Sequence, residues 1–149
     1  MRVSLKATYG IVAALDLAMQ NGAAPVQAKS IARRQSIPLR FLEQVLHAMK
    51  RAGLVDSSRG AQGGYLLSKL PKEISLAEIV EALDGSLAPA PRYRVTRRGR
   101  DRSKSEALLA DVWERVRQSE LAVLSSVSLQ ELIERYQQLD QERTLMYHI

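Results

Sequence analysis

Apolar side chains recur with the spacing of an α-helix over residues 5–19 of the chain. Ser4 can accept hydrogen bonds as an N-cap, and Gly22 is a plausible stop. The pattern therefore predicts a first helix that runs from Ser4 to about Asn21. Its apolar stripe consists of Leu5, Tyr9, Val12, Leu15 and Met19.

Two more helices, separated by a short turn, are predicted before Gly53. The second helix covers about 27–34 and turns Ile31 inward. Residues 35–37 form the turn. Pro38 suits the first turn of a third helix, because its missing N–H is not needed there. That third helix continues to the residue before Gly53, where glycine ends it.

Two extended runs follow the third helix, at 54–58 and 65–68, and the glycine-rich segment 59–64 separates them. Glycine permits the positive φ values of a tight turn, so the pattern predicts a β-hairpin. A phosphate-binding glycine loop is the alternative, but such loops lead from a strand into a helix. Because a strand follows here, the hairpin is favoured, with Arg59 at its tip either as a functional cation or as an incidental part of the turn.

A Ser-x-x-Glu capping box at Ser75 predicts the start of a fourth helix that ends at Gly85. Its apolar face consists of Leu76, Ile79, Val80 and Leu83. Pro89 and Pro91 oppose helix in the irregular stretch that follows. A second capping box, at Ser128, predicts a short last helix. That helix is expected to bury Leu132, Ile133 and Tyr136.

Between these two regions a long amphipathic helix is predicted from about Ser105. Its stripe consists of Leu109, Val112, Val116, Val123 and Val127. A second copy of the chain is the simplest cover for so long a stripe, and packing against the rest of the same chain is the alternative. Trp113 is expected in the core or in this interface. A homodimer would also present two copies of the third helix, related by a two-fold axis.

The third helix has two different faces. At about 100° per residue, its apolar side chains fall within a sector about 100° wide and its polar ones within about 60° on the opposite side. The apolar set is Leu42, Val45, Leu46 and Met49, and the polar set is Arg40, Gln44, His47 and Arg51. Arginine suits guanine edges and glutamine suits adenine edges. An ordinary solvated face is the alternative, and for His47 it is the simpler interpretation. Glu43 could accept from a cytosine amino group or be a surface charge.

The predicted elements follow the order of a winged helix-turn-helix: helix, helix, turn, helix and hairpin. In that arrangement the third helix enters the DNA major groove. The charges agree with this. Residues 1–70 hold ten basic and three acidic side chains, a balance of +7, and residues 92–104 hold seven and one, a balance of +6. Residues 105–149 hold four and eight, a balance of −4. A cationic head therefore precedes an anionic tail, although unevenly charged surfaces also occur without a nucleic-acid partner.

Composition removes several other classes of protein. The sequence has no cysteine and only two histidines, which excludes thiolate-held metals and argues against a histidine-rich metal centre. No nucleophile–base pair or acid pair stands out, so an enzyme has little support. No segment approaches the roughly 20 apolar residues that span a bilayer. We therefore expect a cytoplasmic protein with no metal site and no membrane partner.

The motifs together resemble the Rrf2 family of bacterial winged-helix transcription regulators, which includes iron–sulfur-cluster regulators. The resemblance covers nearly the whole chain. It rests on residues 1–6 with Tyr9, on residues 37–44, on residues 53–55, and on the Arg-Gly-x-x-Gly-Gly-Tyr-Leu-Leu motif of residues 59–67. It implies a homodimeric regulator whose long C-terminal helix forms the dimer. It further implies DNA readout by Arg40, Phe41, Gln44 and Arg59.

This sequence departs from the cluster-binding members in one segment. Those members carry three cysteines between the fourth helix and the long helix, where residues 86–104 here hold arginines instead. We therefore expect no iron–sulfur cluster. Relatives without cysteines respond to a protein partner or a small molecule, so sensing by another effector stays open, as does its loss. Residues 92–104, the basic part of this segment, are expected to be mobile in the free protein and to attract phosphate nonspecifically, or to do nothing measurable.

These observations predict a mainly α protein: a winged helix-turn-helix domain with a two-stranded β-wing over 1–85, a basic flexible linker over 86–104, and a dimerisation helix with a C-terminal helix over 105–149. The predicted function is a transcriptional repressor that binds a palindromic operator in double-stranded DNA as a homodimer. A winged-helix module that binds another protein is the alternative. The predicted DNA contacts are Lys29, Ser30, Arg40, Phe41, Gln44, His47, Arg51 and Arg59, and the predicted dimer contacts are Leu109, Val112, Trp113, Val116, Val123 and Val127.

Overall fold

Six α-helices and a two-stranded antiparallel sheet make up the described part of the chain, residues 3–20, 22, 24–87 and 104–148 of a computed structural model. The elements are α1 (Leu5–Met19), α2 (Ala28–Gln35), α3 (Leu39–Arg51), β1 (Val55–Ser58), β2 (Gly64–Leu67), a 3₁₀ turn (Pro71–Glu73), α4 (Leu76–Asp84), α5 (Lys104–Ser126) and α6 (Leu129–Tyr147). This order confirms the predicted succession of helices and hairpin. The predicted linker is described only at residues 86–87 and at Lys104, which begins α5; the rest of it lies outside the described residues.

The helix ends follow the predicted caps. Ser4 Oγ accepts from the Ala7 N–H at 2.9 Å. At Ser75 the capping box is complete, because Ser75 Oγ accepts from the Glu78 N–H and the Glu78 carboxylate accepts from the Ser75 N–H at 2.9 Å. Gly85 then ends α4 with a φ of +87°, a backbone conformation that a side chain would strain.

The buried face of α1 differs from the predicted stripe. Leu5 is 60% exposed, and the other members of the stripe are only half-buried. Because α1 is apolar almost all round, helical spacing alone fits more than one face. The face that packs inward carries small residues and lets α4 approach closely: a Cβ on Gly10 would lie 2.1 Å from Leu83 Cδ1. Its buried members are Ala7, Gly10, Ala13, Ala14, Asp16, Leu17 and Ala18.

The wing pairs with the segment that leads into α2. Within the sheet, Val55 lies opposite Leu67 and Ser58 opposite Gly64. Outside it, Val26 and Tyr65 exchange two backbone hydrogen bonds of 2.9 and 2.8 Å. This isolated β-bridge therefore holds the hairpin against the segment at the start of the helix-turn-helix.

The elements α1 to α4 together with the wing form one packed unit, which we call the head. The junction between α5 and α6 is attached to the head by backbone hydrogen bonds. The Leu76 N–H donates to the Val127 carbonyl and the Leu129 N–H donates to the Ile74 carbonyl, both at 2.9 Å. Leu129 and Ile133 are buried, as the head covers the first two turns of α6. The predicted short helix is wrong in its length, because α6 has 19 residues, and in the burial of Tyr136, which is 50% exposed where the helix leaves the head.

Candidate nucleic-acid interface

The two faces predicted for α3 are both present. Its apolar side chains are buried in the core of the head: Leu42, Val45, Leu46 and Met49 are each 0% exposed. Its polar side chains stay outside: Arg40, Gln44, His47 and Arg51 are exposed, and so is Glu43. Burial of one face fixes the helix axis, so the opposite face is presented as a rigid row of hydrogen-bonding groups.

A groove runs between α3 and the wing, and it brings five of the polar and aromatic side chains together. It is lined by Arg40, Glu43, Gln44, His47 and Tyr65. The grouping unites three predicted DNA contacts with Glu43, for which two interpretations were open. Tyr65 belongs to the second predicted strand and to the family motif, but the sequence assigned it no role in the interface. The signal that places it here is the backbone pairing with Val26, which sequence spacing does not reveal.

Phe41 occupies a different environment from its neighbours on α3. It is half-buried, and its ring meets that of Tyr9 edge to face, with centroids 5.4 Å apart and planes at 80°. Such a contact adds to the packing of α3 on α1. Its assignment to DNA readout came from the resemblance and stays a prediction.

The wing presents Arg59 on a narrow glycine tip. Arg59 is exposed, and Gly60 beside it has a φ of +102°. A Cβ on Gly63 would lie 2.3 Å from the Ser58 carbonyl oxygen, so the turn closes only with glycine there. In the third residue of β1, Ser57 Oγ accepts a hydrogen bond from Lys50 Nζ at 2.6 Å, which joins the end of α3 to the wing.

The first helix of the helix-turn-helix contributes two predicted contacts at its N-terminal turn. Lys29 is exposed and Ser30 is half-buried. The opposite end of α2 holds a group that the sequence reasoning missed: Arg34 pairs with Asp16, which is buried in α1. The hydrogen bond to Asp16 raises the pKa of the Arg34 guanidinium, and burial opposes this only in part. An aspartate inside an apolar helical run was the available signal.

The predicted dimer contacts form an apolar surface on α5 that the described part of this chain leaves uncovered. Val116 is 44% exposed, and Val3 lines the same open groove, of about 760 Å³. Trp113 is 51% exposed, so the core position considered for it is wrong and the interface position stays a prediction. Val127 is half-buried at the junction with α6. The remaining predicted contacts, Leu109, Val112 and Val123, are exposed as well.

Two other kinds of site are absent from the described ranges. No group of three or more His, Asp or Glu side chains is arranged to hold a metal ion there. Within the same ranges, no helix has both the length and the apolar character that crossing a bilayer requires.

Comparison with known proteins gives a consistent result. The sequence profile of the Rrf2 family, described as an iron-dependent transcriptional regulator, matches residues 3–135. An HTH-type transcriptional regulator of Synechocystis is 40% identical over 133 residues, which cover 89% of this chain and 87% of that protein. The HTH-type transcriptional regulator CymR of Bacillus subtilis is 32% identical over 147 residues, which cover 99% of each chain.

Solved structures agree with the sequence relatives. CymR, the global cysteine regulator of B. subtilis, superposes with a TM-score of 0.77 at 31% identity and covers 91% of this chain and 98% of its own. IscR from T. potens superposes with a TM-score of 0.73 at 38% identity, over 91% of this chain and 88% of its own. The predicted winged-helix fold is thereby confirmed. The relatives are transcriptional regulators and not enzymes, as the sequence predicted.

Proposed function

Because the chain belongs to the Rrf2 family of DNA-binding transcriptional regulators, we propose that it is a repressor that binds a palindromic operator as a homodimer. The observation that carries this proposal is the row of exposed polar side chains on α3, held rigid by the fully buried face behind it. Arg40 and Gln44 are the side chains with a direct route to base edges, through guanine and adenine respectively.

The other head contacts would fix the register on the duplex. Arg59 on the wing tip suits the negative potential of a narrow minor groove. Lys29 and Ser30 lie in the first turn of α2, and helix N-termini commonly contact phosphate. Arg51, at the C-terminal end of α3, would contact phosphate through its guanidinium group. His47 shares the groove with Arg40 and adds a hydrogen-bond donor to it.

The uncovered stripe on α5 supports the homodimer. Monomeric proteins seldom expose long contiguous apolar surfaces, and a second α5 offers a matching one around a two-fold axis. Two-fold symmetry in the protein implies two-fold symmetry in the operator. Repression is the simplest consequence, since a dimer on promoter DNA obstructs polymerase without any further contact. Such a protein would act in the cytoplasm.

An iron–sulfur cluster is implied by part of the family but does not fit this chain. The 149 residues include no cysteine, so they supply none of the thiolates that hold such clusters. We therefore propose that any signal arrives through a protein or small-molecule effector. Iron and acid-labile sulfide assays on protein purified without oxygen would test this, and stoichiometric iron with sulfide would overturn it.

The test of DNA binding begins with selection of duplexes from a randomised pool by the wild-type protein. The selected duplex and a scrambled duplex of equal length are then compared in gel shifts. We expect a palindromic selected sequence, with an affinity at least about a thousandfold above the scrambled one. Gln44→Ala and Arg59→Ala should each weaken the specific complex about tenfold. Arg135→Ala on α6, which removes the same charge as Arg59→Ala, is the matched control and should have little effect.

The salt dependence of binding distinguishes a DNA-binding regulator from the alternative, a winged-helix module whose main role is to bind another protein. An interface that neutralises several phosphates loses affinity steeply as salt rises. Equal affinity for selected and scrambled duplexes, unchanged by Gln44→Ala, would overturn the proposal. A non-palindromic selected site would overturn the dimeric part of it.

A further inference from the structure

One buried carboxylate in the head has three hydrogen-bond donors directed at it. Asp16, in the last turn of α1, is 1% exposed. Its oxygens accept from Arg34 Nε at 3.0 Å, from an Arg34 terminal nitrogen at 2.6 Å and from Gln35 Nε2 at 2.8 Å. The Arg34 contact is a two-point fork, the geometry that fixes orientation as well as distance.

The two residues that supply these donor groups, Arg34 and Gln35, are the last two residues of α2 and lie next to the turn that sets the direction of α3. Ser36 follows in the left-handed conformation, with φ 54° and ψ 43°. It is the single described residue other than glycine with a positive φ. The Ile37 N–H then donates to the Ala32 carbonyl at 3.0 Å, and α3 begins at Leu39. Asp16 therefore holds the residues from which the helix-turn-helix turn departs.

Stability alone is a weak explanation for this cluster. Burying an ion pair costs solvation free energy, and apolar replacements of such pairs are often neutral or stabilising. Arg34 remains 41% exposed, so water weakens its attraction to Asp16 further. What apolar packing does not provide is a directional contact. Three donors converging on one carboxylate define how the end of α2 is rotated about its own axis.

We propose that Asp16 is a positioning residue for sequence-specific DNA binding, which orients the turn and hence the row of side chains that α3 presents. The inference rests on the proposed operator binding. Loss of the Asp16 charge and loss of its positioning contacts should change the affinity for DNA in opposite directions. Replacing Asp16 by a neutral residue removes one negative charge, which by itself strengthens attraction to any DNA. A loss of specific affinity in such a variant would therefore come from geometry.

The experiment compares Asp16→Asn with Gln35→Ala, which removes one donor without changing the charge. Each variant is titrated with the selected duplex and with the scrambled duplex, and the ratio of the two affinities is the readout. Misfolding lowers both affinities by the same folded fraction and leaves the ratio unchanged. Glu81→Gln, at an exposed carboxylate on α4, makes the same charge change as Asp16→Asn and is the matched control.

We expect Asp16→Asn to lower the ratio about tenfold, roughly the loss of one base contact, with affinity for the scrambled duplex kept or slightly raised. Gln35→Ala should lower it about threefold, since the arginine fork remains. Glu81→Gln should leave it unchanged. Unchanged ratios in both Asp16→Asn and Gln35→Ala would overturn the proposal, and if Asp16→Asn does not fold, Gln35→Ala decides alone.

Amide hydrogen exchange of the free variants gives a readout that does not need an operator. The Ile37 N–H in the turn should exchange about tenfold faster in Asp16→Asn, while the Leu129 N–H, which donates to the Ile74 carbonyl and takes no part in the cluster, should keep its wild-type rate. Equal acceleration at both sites would mean general destabilisation and would overturn the inference. Failure of the wild type to select any sequence would instead overturn the proposed function, and exchange would still decide the role of Asp16.

Discussion

The helices α3 and α5 both carry an amphipathic pattern in the sequence, but their apolar faces have opposite fates in the structure. The four side chains on the apolar face of α3, Leu42, Val45, Leu46 and Met49, are completely buried, and α1, α2, α4 and β1 pack against this helix. Those of α5 remain largely exposed, although α4 lies against the helix. Helical periodicity therefore predicts that a face is apolar, and it does not tell whether the partner for that face lies in the same chain.

The largest test of this contrast is Leu46→Ala in α3. Leu46 is 0% exposed, and truncating such a side chain leaves a cavity as well as losing transfer free energy. We expect the free energy of unfolding to fall by about 2–5 kcal/mol. Urea unfolding at several protein concentrations measures it. The loss should be the same at every concentration, because all contacts of Leu46 lie within the head. A loss that grows on dilution would contradict this.

Val116→Asp in α5 is expected to act on association instead. The substitution appears twice in a symmetric dimer, so we expect the dimer dissociation constant to rise about a hundredfold, which is about 2.7 kcal/mol. Helix content and unfolding of the isolated chain should hardly change, because Val116 is already exposed there. Sedimentation equilibrium measures the dissociation constant.

The control for Val116→Asp is Ala122→Asp on the same helix. Ala122 is exposed and lies outside the apolar groove, so this variant adds the same charge to α5 without facing the proposed partner. Dissociation by both variants alike would point to a general effect of charge on α5. A wild-type protein that stays monomeric at high concentration would remove the homodimer from the proposal.

Local chemistry explains what could be predicted from this sequence. The caps at Ser4 and Ser75 and the glycine at position 85 act within a few residues of themselves, and all three mark helix ends as expected. The two faces of α3 were predicted because charged and apolar side chains separate cleanly there. The exposed polar side chains of the candidate site follow directly from that separation.

Features that depend on distant contacts were missed or misjudged. The prediction of the buried face of α1 was wrong, because α4 approaches so closely at Gly10 that the face packed inward needs small side chains. The role of Asp16 depends on donors 18 and 19 residues away. Tyr65 joins the candidate interface through its backbone pairing with Val26. In each case the partner lies in another element, so a pattern confined to one element carries no information about it.

The wing extends the comparison to backbone contacts within the head. In Gly64→Ala the new Cβ would meet Val26 backbone atoms at 2.5 Å, and the φ of +152° is one that alanine rarely adopts. We expect unfolding free energy to fall by about 2 kcal/mol, the cost of strain and lost pairing together. Gly60→Ala is the control, since its φ is +102° but nothing lies within 4 Å of the new Cβ. Denaturant unfolding of both variants measures the difference, and an equal loss in both would show that contact with Val26 contributes nothing.

The smallest effect on the free energy of unfolding is expected for a substitution of Glu78 in α4, the helix that contacts both α3 and α5. Burial alone would raise the pKa of Glu78, but hydrogen bonds from the Ser75 N–H and from Lys69, with the charge of Lys69, lower it below its ordinary value of 4.5. A carboxyl whose folded pKa is lowered stabilises the protein above its unfolded pKa, and the contribution disappears as pH falls through the folded value. Glu78→Gln should therefore cost about 0.5 kcal/mol or less near pH 7, since the Lys69 pair is exposed to water.

Unfolding curves of wild type and Glu78→Gln at pH 7, 5 and 3 measure this dependence. The difference in unfolding free energy should persist at pH 7, shrink once the pH falls below 4.5, and vanish when Glu78 is protonated in the folded state. Glu81→Gln, at an exposed carboxylate on the same helix, should show no comparable trend. A difference that stays constant with pH would mean that the amide disturbs the cap by its shape, because only the charged form of Glu78 gains from Lys69. A difference that grows at low pH would contradict the lowered pKa.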